Sequence, residues 1–402
     1  MTAWLTLLGI NEDGVDGLSP TARRLLAEAS LVIGGARHLA LADPLITGQR
    51  RAWPRPITEA PALLAAHRTE SVVALASGDP FCFGVGPLLT RDLEAQEWRC
   101  QPMPSCLSLA CARLGWALQE VDVISFCGRP LAALAALLQP GRRVLALSAD
   151  ASTPAEVAGL LRARGFGSSR ITLMEALGGP QERVRNTTAA DFDLAAHPLN
   201  LLAITLTSEP GVAIHAAAPG LDDAAFAHDG QLTKSEIRAA TLAGLAPHPG
   251  ALLWDIGAGS GAVGIEWMRQ HPANRAIAID RRADRLERAR ANAKALGVPG
   301  LVCVAGAAPA ALAGLPRPDA VFIGGGATAP GLVEAVWAAL APGGRLVANA
   351  VTIETETLLF AESARLGGSL ARLDVARLDT IGSFRGFRPA MTVTQWKVTK
   401  PC

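Results

Sequence analysis

The chain has 402 residues, half of them apolar and 18% charged, which is long enough for two or three domains and too apolar to remain disordered. A net charge of +1 lacks the basic excess of a phosphate-tracking surface, so no nucleic-acid partner is expected. Uncharged stretches such as 301–316 stop short of the roughly 20 residues that cross a bilayer and contain Gly and Pro, so no membrane partner is expected either.

In chain order, Met1-Thr-Ala-Trp-Leu-Thr-Leu-Leu-Gly9 enters an apolar run without a basic region and is followed by Glu12 and Asp13, the pattern of a first strand and not of a signal peptide. Apolar runs then alternate with alanine-rich segments. Strands are predicted over 4–8, 31–33 and 72–76, and helices over 20–29 and 59–66. A second series puts strands at 121–126, 143–147, 171–175 and 199–205, and helices at 131–138 and 154–163. Such alternation predicts parallel α/β sheets, here two lobes of about 1–112 and 113–207. Pro and Gly punctuate Glu209-Pro-Gly211 and Pro219-Gly-Leu-Asp-Asp223, which marks 208–228 as a linker. In the third region, 229–402, Thr233 and Glu236 fit a capping box at a helix start. Strands are predicted there over 252–256, 276–279, 301–304, 320–323 and 345–350, and helices over 263–269 and 283–296.

The neutral total conceals an asymmetry. Residues 229–402 hold 19 basic and 14 acidic side chains, and residues 1–228 hold 18 and 22, so the C-terminal region suits an anionic small molecule. The seven cysteines, Cys82, Cys100, Cys106, Cys111, Cys127, Cys303 and Cys402, form no C-x-x-C pattern. Reduced thiols in a cytoplasmic protein are expected, with no metal site.

The strongest local motif is Asp255-Ile-Gly-Ala-Gly-Ser-Gly261 at a predicted strand-to-helix turn, where small residues let backbone approach a ligand and the helix start offers free N–H groups. Gly259-Ser-Gly-Ala-Val-Gly264 also satisfies G-x-G-x-x-G, with Asp280 about 20 residues on to bind ribose hydroxyls; alone this fits a nicotinamide enzyme equally well. With Asp255 before the first glycine, Asp319-Ala-Val-Phe-Ile-Gly-Gly325 and Leu340-Ala-Pro-Gly-Gly344, the series resembles the class I methyltransferases that use S-adenosylmethionine (SAM). The resemblance implies a Rossmann-like domain in which Thr233, Asp255, Gly257, Gly259, Gly261, Asp280 and Ala307 of Gly306-Ala-Ala-Pro309 hold the cofactor.

In the N-terminal half, Ser77-Gly-Asp-Pro80 follows a strand, and Met103-Pro-Ser-Cys-Leu-Ser108 stands downstream. Ahead of a second α/β lobe, these resemble the tetrapyrrole (class III) methylase fold, a two-lobed cleft that binds SAM, which implicates Gly78, Asp79, Pro80 and Ser105. Gly9-Ile-Asn-Glu-Asp-Gly14, Asp16-Gly-Leu-Ser-Pro20, Gly34-Gly-Ala-Arg-His-Leu39 and Glu175-Ala-Leu-Gly-Gly-Pro-Gln-Glu-Arg183 resemble the carbon-5-methylating family of cobalamin biosynthesis. Leu232-Thr-Lys-Ser-Glu-Ile-Arg238, Ile265-Glu-Trp267 and Val347-Ala-Asn-Ala-Val-Thr352 resemble its carbon-15-methylating, decarboxylating counterpart. Many tetrapyrrole methylases carry Gly-Pro-Gly after the first strand; Gly9-Ile-Asn-Glu-Asp13 departs from that and brings two carboxylates into the loop.

The joint resemblance implies two SAM sites, methylation of a precorrin at carbons 5 and 15, and decarboxylation of its ring C acetate. A polycarboxylate tetrapyrrole is the implied substrate, and a homo-oligomer is implied too. His38 and Glu266 are the acid–base candidates. Lys234, Arg238, Arg281, Arg385 and Arg388 are candidates for substrate carboxylates, since a guanidinium pairs with a carboxylate bidentately, and Gly324 and Gly325 for the bulky planar ring. An RNA or protein methyltransferase, a nicotinamide-dependent reductase and a SAM-binding protein without turnover are the alternatives. With 18 aromatic residues and no Tyr, the first lacks the stacking surface an RNA track needs.

Overall fold

The computed structural model describes residues 3–402; Met1 and Thr2 of the N-terminal motif lie outside them. Two compact units form, one from the residues up to Arg129 together with Pro140–Val212, the other from Pro130–Gln139 and Ala213–Cys402.

The first unit holds two five-stranded sheets. Strands β1 (Leu5–Ile10), β2 (Leu31–Gly34), β3 (Gln49–Ala52), β4 (Val72–Ser77) and β5 (Trp98–Gln101) lie in the order β3-β2-β4-β1-β5, all parallel. β1, an interior strand between β4 and β5, is buried throughout, because helices cover both faces of a parallel sheet and the strand must be apolar on both. Leu8, Ile10, Val32 and Leu75 pack on one face with Leu18 and Leu26; Leu5, Leu7, Ile33 and Ala74 pack on the other with Leu64 and Leu89. The second lobe departs from the expected parallel sheet. Strands β6 (Asp122–Ser125), β7 (Arg143–Leu147), β8 (Arg170–Glu175), β9 (Arg183–Thr188) and β10 (Asn200–Thr205) run in the order β6-β7-β10-β8-β9. Only β6 and β7 are parallel; β10 enters between β7 and β8 antiparallel to both, and β9 returns antiparallel on β8. No helix separates β8 from β9, and without a crossover helix the chain turns back antiparallel on itself. The segment predicted as a helix over 131–138 is a 3₁₀ helix, Leu131–Leu137.

The second unit is built on β11 (Leu252–Ile256), β12 (Arg275–Asp280), β13 (Val302–Ala305), β14 (Ala320–Ile323), β15 (Arg345–Ala350), β16 (Ser369–Leu373) and β19 (Val393–Thr399), in the order β13-β12-β11-β14-β15-β19-β16. The first five are parallel, and β19 inserts antiparallel between β15 and β16. A two-stranded ribbon, β17 (Ala376–Ile381) and β18 (Phe384–Pro389), interrupts the chain before β19. Strand order reverses on the two sides of β11, so the chains leaving β11 and β14 diverge to opposite faces and open a crevice at their C-terminal ends. Trp254, Trp267 and Trp396 fill the two faces of the sheet, each with its indole N–H on a carbonyl: Pro316 at 3.1 Å, Ala251 at 3.3 Å and Gly367 at 3.0 Å.

The stretch expected as a linker over 208–228 enters this core. Leu221 and Phe226 are buried in it, and a buried ion pair holds their backbone. The Arg238 guanidinium is fully buried, with Nε 2.5 Å from Glu266 Oε1, and it also donates to the carbonyls of Leu221 and Thr233. Glu266 accepts from the N–H groups of Gly220 at 2.6 Å and Leu221 at 3.0 Å. Every charge is matched, the condition on which a buried pair survives its desolvation. The expected capping box does not form: the helix Ser235–Leu245 has Lys234 at its N-cap without a side-chain bond, and Thr233 meets Arg238 through its carbonyl.

Candidate functional site

In the second unit the crevice is a cleft of about 790 Å3. Gly257, Gly259 and Gly261 have φ of +72°, +56° and +77°, a region where side chains are strained. At Gly257 a Cβ would come within 2.9 Å of the Gly325 nitrogen and at Gly261 within 2.9 Å of Ala289 Cβ, so the loops after β11 and β14 meet backbone to backbone. Two carboxylates fix the loop. Asp280, at the end of β12, accepts from the N–H of Gly259 at 3.0 Å and of Arg282 at 2.9 Å. Asp255, at 1% exposure, accepts from the Gly264 N–H at 2.9 Å. Burial pushes the Asp255 carboxyl up to about 7; the Gly264 N–H opposes this and the nearby Asp280 charge reinforces it.

Thr233, Lys234, Arg281, Ala307, Gly324 and Gly325 line the same cleft, so residues 48 to 92 positions beyond Thr233 converge with it and the glycine loop. Lys234 is 3.3 Å from Asp223, whereas Arg281 is exposed and has no ion-pair partner among the described residues. Four candidates stand elsewhere. Arg238 and Glu266 pair with each other beneath the surface, and neither reaches the cleft, because each is consumed by backbone and by its partner. Arg385 and Arg388 lie on β18 of the exposed ribbon, outside the cleft lining, with Arg388 held 3.2 Å from Asp379. The ribbon instead offers Arg377, paired with Glu236 at the cleft wall. Arg285 also lines the cleft, with Nε 2.9 Å from Asp229 and a terminal nitrogen 2.6 Å from Gln231. Arg285 stands in the first turn of the helix Ala283–Ala295 that follows Asp280, a position next to the cofactor motif that could have identified it; nothing in the ribbon's sequence sets Arg377 apart.

In the first unit, β1, β2 and β4 all end at one edge of their sheet. Gly9 lies so close to the Gly78 carbonyl and the Met103 nitrogen that a Cβ would overlap both. Gly78, at φ +54°, packs against Pro104 and Ser105. Asp79 closes its own turn by accepting from the Phe81 N–H at 2.8 Å, and Pro80 anchors the loop through its carbonyl to the Gly86 N–H at 2.8 Å. Ser105 caps the helix Cys106–Leu114, accepting from the Ser108 N–H at 3.1 Å, so its oxygen is already engaged in the fold. The unusual loop after β1 is also bound in: Asn11 donates to the Pro104 carbonyl at 3.2 Å, and Glu12 pairs with Arg37. Gly179 of the second lobe lies against Glu12 where no Cβ would fit. Arg37 and Ser77 surround His38, and neither stood among the expected site residues. His38 Nε2 lies 2.8 Å from Ser77 Oγ and 2.9 Å from an Arg37 nitrogen.

Residues 5–193 match the family model of tetrapyrrole (corrin/porphyrin) methylases, and residues 224–400 match that of the precorrin methyltransferase domain. A Sinorhizobium protein named precorrin-6Y C(5,15)-methyltransferase [decarboxylating] is 53% identical over 401 residues, spanning 100% of this chain and 97% of its own length. This chain belongs to the precorrin-6Y C(5,15)-methyltransferase (decarboxylating) family. A Mycobacterium tuberculosis (strain CDC 1551 / Oshkosh) protein of the same name is 42% identical, covering 98% of this chain and 100% of its own. The C-terminal domain of a precorrin-6Y C5,15-methyltransferase from Rhodobacter capsulatus, a solved structure, is 50% identical over 46% of this chain and all of its own, with a TM-score of 0.44. Membership of the precorrin-6Y C(5,15)-methyltransferase family accounts for a chain with two separate candidate sites. Among the described residues no cluster of metal-binding side chains occurs, and no helix is long and apolar enough to cross a membrane.

Proposed function

We propose that this chain methylates carbons 5 and 15 of precorrin-6Y (6B) with SAM and decarboxylates the ring C acetate, giving precorrin-8 in cobalamin biosynthesis. The observation that carries this reading is the full-length identity to proteins named for both methylations, in a chain that builds two different strand-end sites. Residues 1–207 act at carbon 5; residues 229–402 act at carbon 15 and decarboxylate, with 208–228 joining them. The protein works in the cytoplasm as a homo-oligomer.

The residues present fit two SAM molecules. In the second unit Asp280 faces ribose hydroxyls, Gly257, Gly259 and Gly261 let backbone approach, Ala307 borders the adenine, and Asp255 and Thr233 border the methionine end. In the first unit Gly78, Asp79 and Pro80 form the corresponding loop, beside Ser105. SAM supplies an activated methyl group, so the protein's work is alignment and exclusion of water. Lys234 and Arg281, joined by Arg285 and Arg377 at the cleft wall, hold substrate carboxylates, while Gly324 and Gly325 leave a flat, unobstructed floor. Incubation of the full chain with a hydrogenated precorrin and SAM tests this by mass spectrometry. The expected product has gained two methyl groups and lost one CO2; a product with neither change would refute the reading.

A further inference from the structure

The Ser77–His38–Arg37–Glu12 cluster has a geometry that holding the fold does not require. Ser77 ends β4 and is exposed; His38 and Arg37 open the helix Ala36–Ala42 after β2; Glu12 follows β1. All lie at the sheet edge that continues into Gly78-Asp79-Pro80. One Arg37 nitrogen is 2.7 Å from Ser77 Oγ and 2.9 Å from His38 Nε2, and the other is bound to Glu12. A guanidinium only donates, so Nε2 accepts, and the ring proton sits on Nδ1. That Nδ1 is buried with no hydrogen-bond partner. A histidine recruited only to brace a loop would bond both nitrogens, since a buried unsatisfied donor is destabilising. Here one nitrogen is left orphaned while the other's lone pair faces both the Arg37 guanidinium at 2.9 Å and the exposed Ser77 hydroxyl at 2.8 Å.

We propose that His38, reached through Ser77, takes the proton released from the bridging carbon when it is methylated in the N-terminal unit. This rests on the assignment of carbon-5 methylation to that unit. The carbon–carbon bond to the methyl forms as the sulfur–methyl bond breaks, leaving S-adenosylhomocysteine and a ring cation whose bridging carbon still carries its hydrogen. Ser77 Oγ takes that proton while its own hydroxyl proton passes to Nε2, and the C–H electron pair returns to the ring. His38 then releases the proton to solvent, because a cationic imidazole is disfavoured in burial and beside Arg37. The same two effects, burial first, hold its pKa down to about 4, so the base is free at neutral pH, and a weak base suffices for so acidic a donor. Other ionisable groups on the elements around this helix are engaged or remote. Glu12 is on Arg37, Asp16 pairs with Arg23 and Asp43 with Arg50, Asp13 lies against Gly17, and Arg51 is exposed on β3.

The test uses the full chain with SAM and a reduced precorrin, unlabelled or deuterated at the bridging carbon, and compares His38→Gln, Ser77→Ala and Asp79→Ala with wild type. The expected result for His38→Gln and Ser77→Ala is loss of one methylation by about 10²-fold or more in kcat at unchanged KM for the tetrapyrrole. A deuterium isotope effect absent in wild type should appear, and carbon-15 methylation and CO2 release should be retained. A rate within threefold of wild type, a rise in KM alone, or an unchanged isotope effect would each overturn the proposal. Asp79→Ala separates the two claims: if it leaves both methylations intact, the assignment of carbon 5 to this unit fails, whereas loss of one methylation in it alone leaves only the base refuted.

Discussion

The N-terminal cluster centres on a histidine and the C-terminal cleft on a carboxyl group, and burial favours the uncharged form of both. His38 is pushed down to about 4 by burial and the Arg37 charge. Asp255 is pushed up to about 7 by burial against the Gly264 N–H, with Asp280 adding to the rise. Their scaffolds differ in kind. The cleft of the second unit relies on backbone, with three left-handed glycines and two carboxylates that accept loop N–H groups. The first unit relies on side chains from three adjacent strand ends.

The largest expected effect breaks the scaffold of the second unit alone. Glu266→Gln leaves the Arg238 charge buried with Asp223, 3.3 Å away, as its remaining carboxylate. A cost of about 3–5 kcal/mol is expected, read as an earlier denaturant transition for that unit with the first unit unmoved. Gly257→Ala places a Cβ at φ +72° against the Gly325 backbone and is expected to cost about 1–3 kcal/mol; calorimetry should show one SAM site lost and the other intact.

Smaller effects sharpen the electrostatic contrast. Between pH 4 and 6.5 the unfolded chain binds a proton at His38 that the folded chain does not, so this group makes stability rise with pH through that window. Asp255 acts oppositely: the folded chain keeps a proton that the unfolded chain loses above about 4, so its contribution falls as pH rises toward 7. Denaturant midpoints measured across pH 4–8 should lose the rise in His38→Gln and the fall in Asp255→Asn; equal slopes in both variants would erase the contrast. The smallest effect belongs to exposed pairs such as Arg23 with Asp16, where Asp16→Asn should change stability by less than about 1 kcal/mol.

Buried parallel strands were legible in the sequence. Leu252–Ile256, Ala320–Ile323 and Arg345–Ala350 coincide with the expected bounds, because a strand covered on both faces must read as a continuous apolar run. β3, Gln-Arg-Arg-Ala with all four residues exposed, and the ribbon β17–β18 bury too little to leave a pattern. β19 escaped for another reason: Gln395 is buried but bonded to Thr241 and Asn349, so polar residues stand where apolar ones mark a strand. The cleft motifs were legible because glycine and aspartate at a strand end have few other uses. Arg238 and Glu266 were misplaced because charge in a sequence reads as surface, and the backbone groups that absorb it lie at Gly220 and Leu221, in a segment that looked like a linker, and at Thr233, which looked like a helix cap. Arg37 and Ser77 stand within recognisable motifs, but nothing in those motifs joins them around His38 until β2 and β4 are known to be neighbours.

The central claim is that two independent SAM sites in one chain serve two methylations. Product mass spectrometry on full-length Asp79→Ala and Asp280→Ala, each incubated with a hydrogenated precorrin and SAM, tests it most directly. Asp79→Ala should yield a product with one methyl gained and CO2 lost, and Asp280→Ala a product lacking the carbon-15 methyl. Loss of both methylations in either variant, or of neither in both, would contradict it.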